Sequence, residues 1–333
     1  MARFCRSVLG FAVVLASMPA AAACPALPAP VRDLDIPRFY GDAAGTKVDP
    51  QAKARHGAAT APLVAFVRGL AVSADRAARS SIGARGSAEA SCALAALESW
   101  ARAGALLGRA SQQGEYQRKW DLAGIALAYV KLRPHASPAQ RRAIEPWLQE
   151  LARATRRFFD DPRRKRNNHW YWLGLARAGV AVATDDAAWW AEARAIYRDG
   201  VADIAADGFL AMELARGPRA LHYHVFATMP LVMLAEIAAA RGEDWYGERG
   251  GALHRLVSVT VRGVAQPDLF ALRSGARQEL TPGSVGAGWL LLYEGRFPGR
   301  IEPVSVPQRT SHRLLGGDVR TLMPALRQRQ AQR

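Results

Sequence analysis

Along most of this chain apolar residues recur at every third or fourth position and almost nowhere at every second, which confines it to helices. Leu63, Phe66, Val67, Leu70 and Ala71 form one such stripe. Cys92, Leu94, Ala95, Leu97, Trp100, Ala101 and Leu107 form another, after a Gly/Ser-rich turn at 82–87. Further helices are predicted at 120–132, stopped by Arg133-Pro134, and at 138–158, where Pro138 suits a first helical turn. Asn167-Asn168-His169 opens the next, to 182, and Asp185 or Asp186 caps one that runs to about 205. Asp207-Gly208-Phe209 is a break, 221–240 is strongly apolar, and 253–264 is the last long helix. Strand character is confined to Val304-Ser305-Val306 and short pieces near the end. With short loops and no repeat of fixed period, the expectation is one all-α domain over 58–325, of roughly eight to ten helices. Helical hairpins in that number can curl into a toroid whose inner helices line a central cleft.

The flanks read differently. Arg3 and Arg6, an apolar run at 8–15 and Ala20-Ala21-Ala22-Ala23 make 1–23 a secretory signal whose apolar run is too short to span a bilayer. Cleavage after Ala23 removes two arginines, takes the formal charge from +16 to +14, and predicts a periplasmic protein with no stable membrane insertion. Cys5 leaves with the signal, so Cys24 and Cys92 remain as an even pair in an oxidising compartment and are expected to form a disulfide; lipidation of Cys24 is the rival reading. Residues 24–57, rich in Pro, Asp and Gly, read as an extended arm and possible lid, and 326–333 as a basic tail. The positive charge predicts an anionic partner, and export argues against nucleic acid. The protein is expected to be a monomer.

Two clusters carry the chemistry. Arg166-Asn167-Asn168-His169-Trp170-Tyr171-Trp172 concentrates amides, an imidazole and aromatic rings behind Arg163, Arg164 and Lys165. Arg216-Gly217-Pro218-Arg219-Ala220-Leu221-His222-Tyr223-His224 adds guanidiniums, a phenol and two more imidazoles. Aromatic faces stack on sugar rings, guanidiniums and amides hold carboxylates, and His and Tyr move protons. The pattern points to an acidic polysaccharide. His222 and His224 lack the HExxH spacing and the nearby carboxylates of a metal site, so neither a metal nor another cofactor is expected.

At these clusters the chain resembles the alginate lyases of polysaccharide lyase family 5. The resemblance rests on Asn167-Asn168-His169-x-Tyr171-Trp172, Asp207-Gly208-Phe209-Leu210 with Glu213-Leu214, and Arg219-Ala220-Leu221-x-Tyr223-His224. Trp100 with Gly104-Ala105-Leu106-Leu107, and His312-Arg313-Leu314-x-Gly316-Gly317-Asp318-Val319, extend it over nearly the whole mature chain. It implies an incomplete (α/α) toroid, no metal, and β-elimination on uronate polymers in the periplasm. Carried over by position, Asn168, His169, Arg216 and Tyr223 correspond to the catalytic set. Tyr40, Tyr116, Arg164, Trp172, Arg219 and His222 are the candidate substrate contacts, and Tyr116 with Arg118, Lys119 and Trp120 has the mix of groups that suits a sugar acid, Trp120 reading equally as core. Trp170 replaces a small hydroxyl residue common in the alginate enzymes, and Phe39 precedes Tyr40 where many have lysine; both are expected where substrate sits. The sequence is therefore read as closest to members of broad range, acting on polymannuronate, polyglucuronate or hyaluronan.

Arg216 and Asn168 are expected to neutralise the uronate carboxylate, and adjacent cations to lower the Tyr223 phenol from its usual pKa near 10. One reading gives syn elimination on mannuronate to Tyr223 alone, and anti elimination on glucuronate to His169 as base with Tyr223 as acid. A hydrolase would need paired carboxylates that the clusters lack. The remaining alternative is a non-catalytic binder or export scaffold for an acidic polysaccharide.

Overall fold

A computed structural model describes residues 24, 26–42, 45–80, 84–279, 288–303 and 309–331, with the backbone alone at 84–87. Four long helices pack in succession: α1 (Pro50–Arg79), α3 (Gln112–Leu132), α5 (Asn168–Thr184) and α8 (Ala220–Ala240). Outside each lies a partner: α2 (Ala84–Arg102) on α1, α4 (Pro138–Phe159) on α3, α6 (Ala187–Ala202) on α5, and α9 (Glu248–Ala265) on α8. The row of hairpins stops there, an incomplete (α/α) toroid. The C-terminal helix α12 (Val319–Ala331) lies against α1, α3 and α8.

Which helices are inner follows from composition. In α5 every residue from Trp170 to Ala183 is buried, and α8 is buried over most of its length, so each is apolar on all sides. The outer α4 is amphipathic: Ile144, Trp147, Leu148, Leu151, Ala152, Thr155 and Phe159 face inward, while Arg142, Glu150, Arg153 and Arg157 face water. A capping box of Ser137 and Gln140 fixes its start. Pro230, inside α8, has no N–H for the Phe226 carbonyl one turn back, and Trp172 Nε1 donates to that carbonyl at 3.0 Å.

A buried ionic knot ties the termini of the toroid together. Lys131 Nζ of α3 pairs with Asp75 of α1 and donates to the Gly316 carbonyl at 2.5 Å. The second oxygen of Asp75 accepts the Asp318 backbone N–H at 2.8 Å, and Asp318 pairs with Arg79 and Arg320. Gly316 has φ +73°, and a Cβ there would fall 2.7 Å from the backbone of Leu127 and Ala128, so only glycine lets this turn meet α3.

Several boundaries differ from expectation. Asp49 caps α1, which begins at Pro50 inside the predicted arm. Helix α2 begins at Ala84, inside the predicted turn, and α3 begins eight residues before Trp120. The predicted basic tail is helical up to Ala331, because Val319, Leu322, Met323 and Leu326 bury one face of α12. Two short helices, α10 (Asp268–Ser274) and α11 (Trp289–Arg296), also follow α9. The signal 1–23, the strand at Val304-Ser305-Val306 and residues 332–333 lie outside the described residues.

The arm is strapped across the α2–α3 connection: Leu34 N–H donates to the Arg109 carbonyl at 2.7 Å, and Trp100 Nε1 to the Pro28 carbonyl at 3.0 Å. Leu34 and Ile36 enter the core. At the arm's start Cys24 and Cys92 form the expected disulfide. A sulfur so engaged cannot carry a thioether-linked lipid, which removes lipidation for this state.

The disulfide closes a loop across a sequence separation of 68 residues. Cys92→Ser is expected to lower the free energy of unfolding by about 2–4 kcal/mol. Urea denaturation of the two proteins tests this, and coincident midpoints would rule out the strap as a stabilising element.

Candidate active site

One end of the inner helices opens into a cleft of about 730 Å³. Its wall is drawn from the arm (Arg38, Phe39, Tyr40, Gly45), the first half of α3 (Tyr116, Trp120), the end of α4 (Phe158, Phe159), and the stretch leading into α5 (Arg163, Arg164, Lys165, Asn167, His169). The opposite side supplies Arg216, Arg219, His222 and Tyr223 from the entry into α8, with His312 from the C-terminal segment. Six cations line this wall, and among the described residues no Asp or Glu does.

His169 sits in the first turn of α5, where the Asn167 side chain caps its backbone N–H at 3.1 Å. Its ring stacks on Tyr116 with centroids 3.8 Å apart, and its Nδ1 lies 3.2 Å from the Nζ of Lys119. Burial, then Lys119 and Arg216, hold its pKa well below the usual histidine value, so the imidazole is neutral. Across the cleft the Arg216 guanidinium lies 3.7 Å over the Tyr223 ring, and Arg219 is 5.5 Å from it. Tyr223 Oη contacts Tyr40 Oη directly.

That contact reverses an expectation. The phenol of Tyr223 lies above its ordinary pKa: burial and Tyr40 raise it more than Arg216 and Arg219 lower it. In the observed state Tyr223 is protonated.

The arm is held over the site by its own chemistry. Asp42 accepts from Thr46 N–H and Oγ1 and from Lys47 N–H at 2.7–2.9 Å, and Tyr40 and Val48 form a bridge. These donors keep the Asp42 carboxyl far below the usual carboxylate range. Arg216 Nη2 donates to the Gly45 carbonyl at 2.9 Å. Gly45 has φ +68°, and a Cβ there would lie 2.7 Å from that nitrogen.

Several candidates sit elsewhere than expected. Trp172 is fully buried against Phe226, and its indole serves the α8 backbone; it does not line the cleft. Trp170 points away as well, its Nε1 donating to Asp199 at 3.0 Å and its ring lying under Arg166. Arg118 faces the α2–α3 loop, donating to the Leu106 and Gly108 carbonyls at 2.7 Å. His224 is a structural residue, its Nε2 accepting the Leu210 N–H at 2.9 Å and its Nδ1 2.8 Å from the Ala220 carbonyl. Among the described residues no three His, Cys, Asp or Glu gather into a metal-binding group.

Asn168 lies beneath the wall. Its backbone N–H and its Nδ2 both donate to one oxygen of Glu213, at 2.8 and 2.9 Å, and its own Oδ1 has no partner. Glu213 is fully buried, and burial raises its carboxyl above the usual range. Nothing in the residue order marks Glu213 as the group that fixes Asn168, and Lys119, expected beside Tyr116 in a mix that suits a sugar acid, is wholly buried. Of the other candidates, Tyr40, Tyr116, Arg164, Arg219 and His222 line the cleft. Unpartnered buried atoms collect there too, including Trp120 Nε1, Arg164 Nε, Arg216 Nε, Arg219 Nε and His222 Nδ1. Such atoms are costly unless a ligand meets them.

The family model described as Alginate lyase matches residues 36–270. A polysaccharide lyase of Stenotrophomonas maltophilia is 41% identical over 316 residues, covering 93% of each chain. An alginate lyase of Azotobacter vinelandii is 34% identical over 266 residues, 77% of this chain and 70% of its own. Among solved structures, a histidine-to-alanine variant of alginate lyase A1-III complexed with a tetrasaccharide superposes with a TM-score of 0.79 at 26% identity, over 92% of this chain and 88% of that one.

Burial holds His222, His224 and His312 to pKa values of about 4. An unfolded histidine titrates near 6.5, so between roughly pH 6.5 and 4 the unfolded chain binds protons that the folded one refuses. Stability is therefore expected to fall as pH drops through that window, by about 2–3 kcal/mol for each histidine at its lower end. Urea midpoints at pH 7, 6, 5 and 4.5 check it; a flat series would contradict the placement of these rings.

Proposed function

Because this chain belongs to the alginate lyase family, polysaccharide lyase family 5, and is on that ground a polysaccharide lyase of an anionic polymer, we propose that it cleaves 1,4-linked polyuronates of more than one kind. Polymannuronate, polyglucuronate and hyaluronan are its proposed substrates, and the periplasm its proposed site of action, as a monomer. Residues 1–23, read as an export signal, and the Cys24–Cys92 disulfide support that location. The observation that carries the reading is a wall of six cations without a carboxylate, in which a neutral His169 and an Arg216-covered Tyr223 face one space.

In β-elimination a base removes H5, the C5–H electrons form the C4=C5 double bond, the C4–O4 bond breaks, and O4 takes a proton. The C6 carboxylate must be neutralised as charge builds on it, and preorganised donors do this best. Arg216 and His169 take that part. Asn168, with its Nδ2 committed to Glu213, shapes the floor beneath them.

Mannuronate and glucuronate differ only at C2, so H5 and O4 lie syn in both, and the expected division of labour between the two sugars does not hold. One residue on that face, Tyr223, serves both as base and as acid. Guluronate, the C5 epimer, presents the anti arrangement and is a poor substrate. Hyaluronan joins the list through its 4-linked glucuronate. Substrate that displaces Tyr40 removes a contribution that raises the Tyr223 phenol and leaves Arg216 over its ring, favouring the phenolate base.

Short-ultraviolet absorbance from the new double bond is expected to grow on polymannuronate and polyglucuronate and to be weak on polyguluronate. Tyr223→Phe and His169→Ala are each expected to lower kcat by about 100- to 10,000-fold. On polymannuronate the rate is expected to rise from neutral toward alkaline pH, because Tyr223 must first lose its proton. Polymer binding without any absorbance growth would replace the lyase with a binding protein.

A further inference from the structure

Lys119 lies against the His169 imidazole, and its environment is unusual. Its side chain is completely buried at the middle of α3. Its Nζ lies 3.3 Å from the Tyr116 carbonyl, 3.2 Å from His169 Nδ1 and 3.9 Å from the centroid of the Trp120 ring, with Phe159 beyond. Among the described residues no carboxylate contacts it: Asp121, nearest in sequence, is bonded through one oxygen to Gln117 and Arg313 and acts on Lys119 only through its charge. A buried amino group without an anion is expensive, and only directed hydrogen bonds offset that. Three acceptors surround the nitrogen: a carbonyl, an imidazole nitrogen and an aromatic face.

Nζ has hydrogens to donate whether it is an amine or an ammonium. The carbonyl takes one and Nδ1 takes another. We propose that Lys119 is a positioning residue that donates to His169 Nδ1, keeps the imidazole proton on Nε2 and fixes that edge of the ring toward the cleft. Tyr116, stacked on the ring at 3.8 Å, prevents it from tilting, while Lys119 prevents it from turning over. With Nδ1 occupied, His169 serves as a hydrogen-bond donor to the uronate carboxylate and not as the proton acceptor from C5. This rests on the polyuronate lyase reading for its consequence in catalysis, though not for the state of the ring. The depressed pKa values of both groups, each lowered first by burial, agree with a neutral ring held by a nearby amino group.

Nitrogen-15 NMR of histidine-labelled protein tests the ring without substrate. Wild type is expected to show His169 with a proton on Nε2 and a hydrogen-bonded, unprotonated Nδ1 between pH 6 and 8. A proton on Nδ1 overturns the proposal directly, with no variant needed. In Lys119→Met, which keeps the apolar length of the side chain, the Nδ1 hydrogen-bond signature is expected to vanish and the His169 pKa to rise. On polymannuronate kcat is expected to fall by about 10- to 100-fold with little change in KM, and Lys119→Arg, which keeps a donor, to recover part of it. A Met variant that is folded by circular dichroism and matches wild type in ring titration and kcat also overturns the assignment. If no polymer is cleaved by wild type, the lyase reading fails, while the NMR result still judges the ring.

Discussion

The structure depends on gathering six cations around one cleft whose wall, among the described residues, carries no carboxylate, while much of the buried charge elsewhere is paired. Lys131 has Asp75, Arg118 has Glu115, Arg177 has Asp160 and Glu192, and Arg313 has Asp121. Around the cleft Arg216 is held by the Gly45 carbonyl and the Tyr223 face and Arg164 by the Phe158 face, while Arg163 pairs with Asp161. A carboxylate introduced on that wall would pair with Arg216 or Arg219 and cancel the field a uronate needs, since opposite charges a few ångströms apart in a partly dry site attract strongly. The acids have been moved to the scaffold, where they tie α1, α3 and the C-terminal segment into one unit.

The scaffold positions His169 and Tyr223 by bringing the starts of α5 and α8 to the same end as the first half of α3. That arrangement follows from the hairpins: an outer helix runs between each successive pair of inner ones, so inner helices share a direction and their ends share a face. His169 and Tyr223 stand at such ends, where a short rigid turn fixes their backbone and the helix macrodipole favours an arriving anion. The arm completes the enclosure through Tyr40 and Gly45. An arm that contacts the Tyr223 phenol and the Arg216 guanidinium at once links its own position to the protonation of the site.

Helix periodicity told where most of the toroid's helices lie, because the inner and outer helices bury different stripes and those stripes are written in residue order. It missed the first turns of α3 for an informative reason. Gln112 to Lys119 looks polar enough for a loop, yet Gln117, Arg118 and Lys119 are buried, each by a partner that sequence spacing does not reveal. Trp172 erred in the opposite direction: an aromatic three residues after His169 reads as a sugar platform, but its ring packs on Phe226 in the core, and the carbonyl that Pro230 leaves open claims its indole.

Local residue order alone determined the helical class and the pairing of two cysteines, because each rests on short-range patterns or on counting; the candidate catalytic set came from the resemblance of two clusters to a family. Only the tertiary structure decided the protonation of Tyr223, the burial of Asn168 on Glu213, and the place of Lys119 against His169. Those depend on desolvation and on groups tens to hundreds of residues apart. Tyr40 and Tyr223, separated by 183 positions, are the plainest case: neither residue's surroundings in the chain indicate that the one raises the pKa of the other.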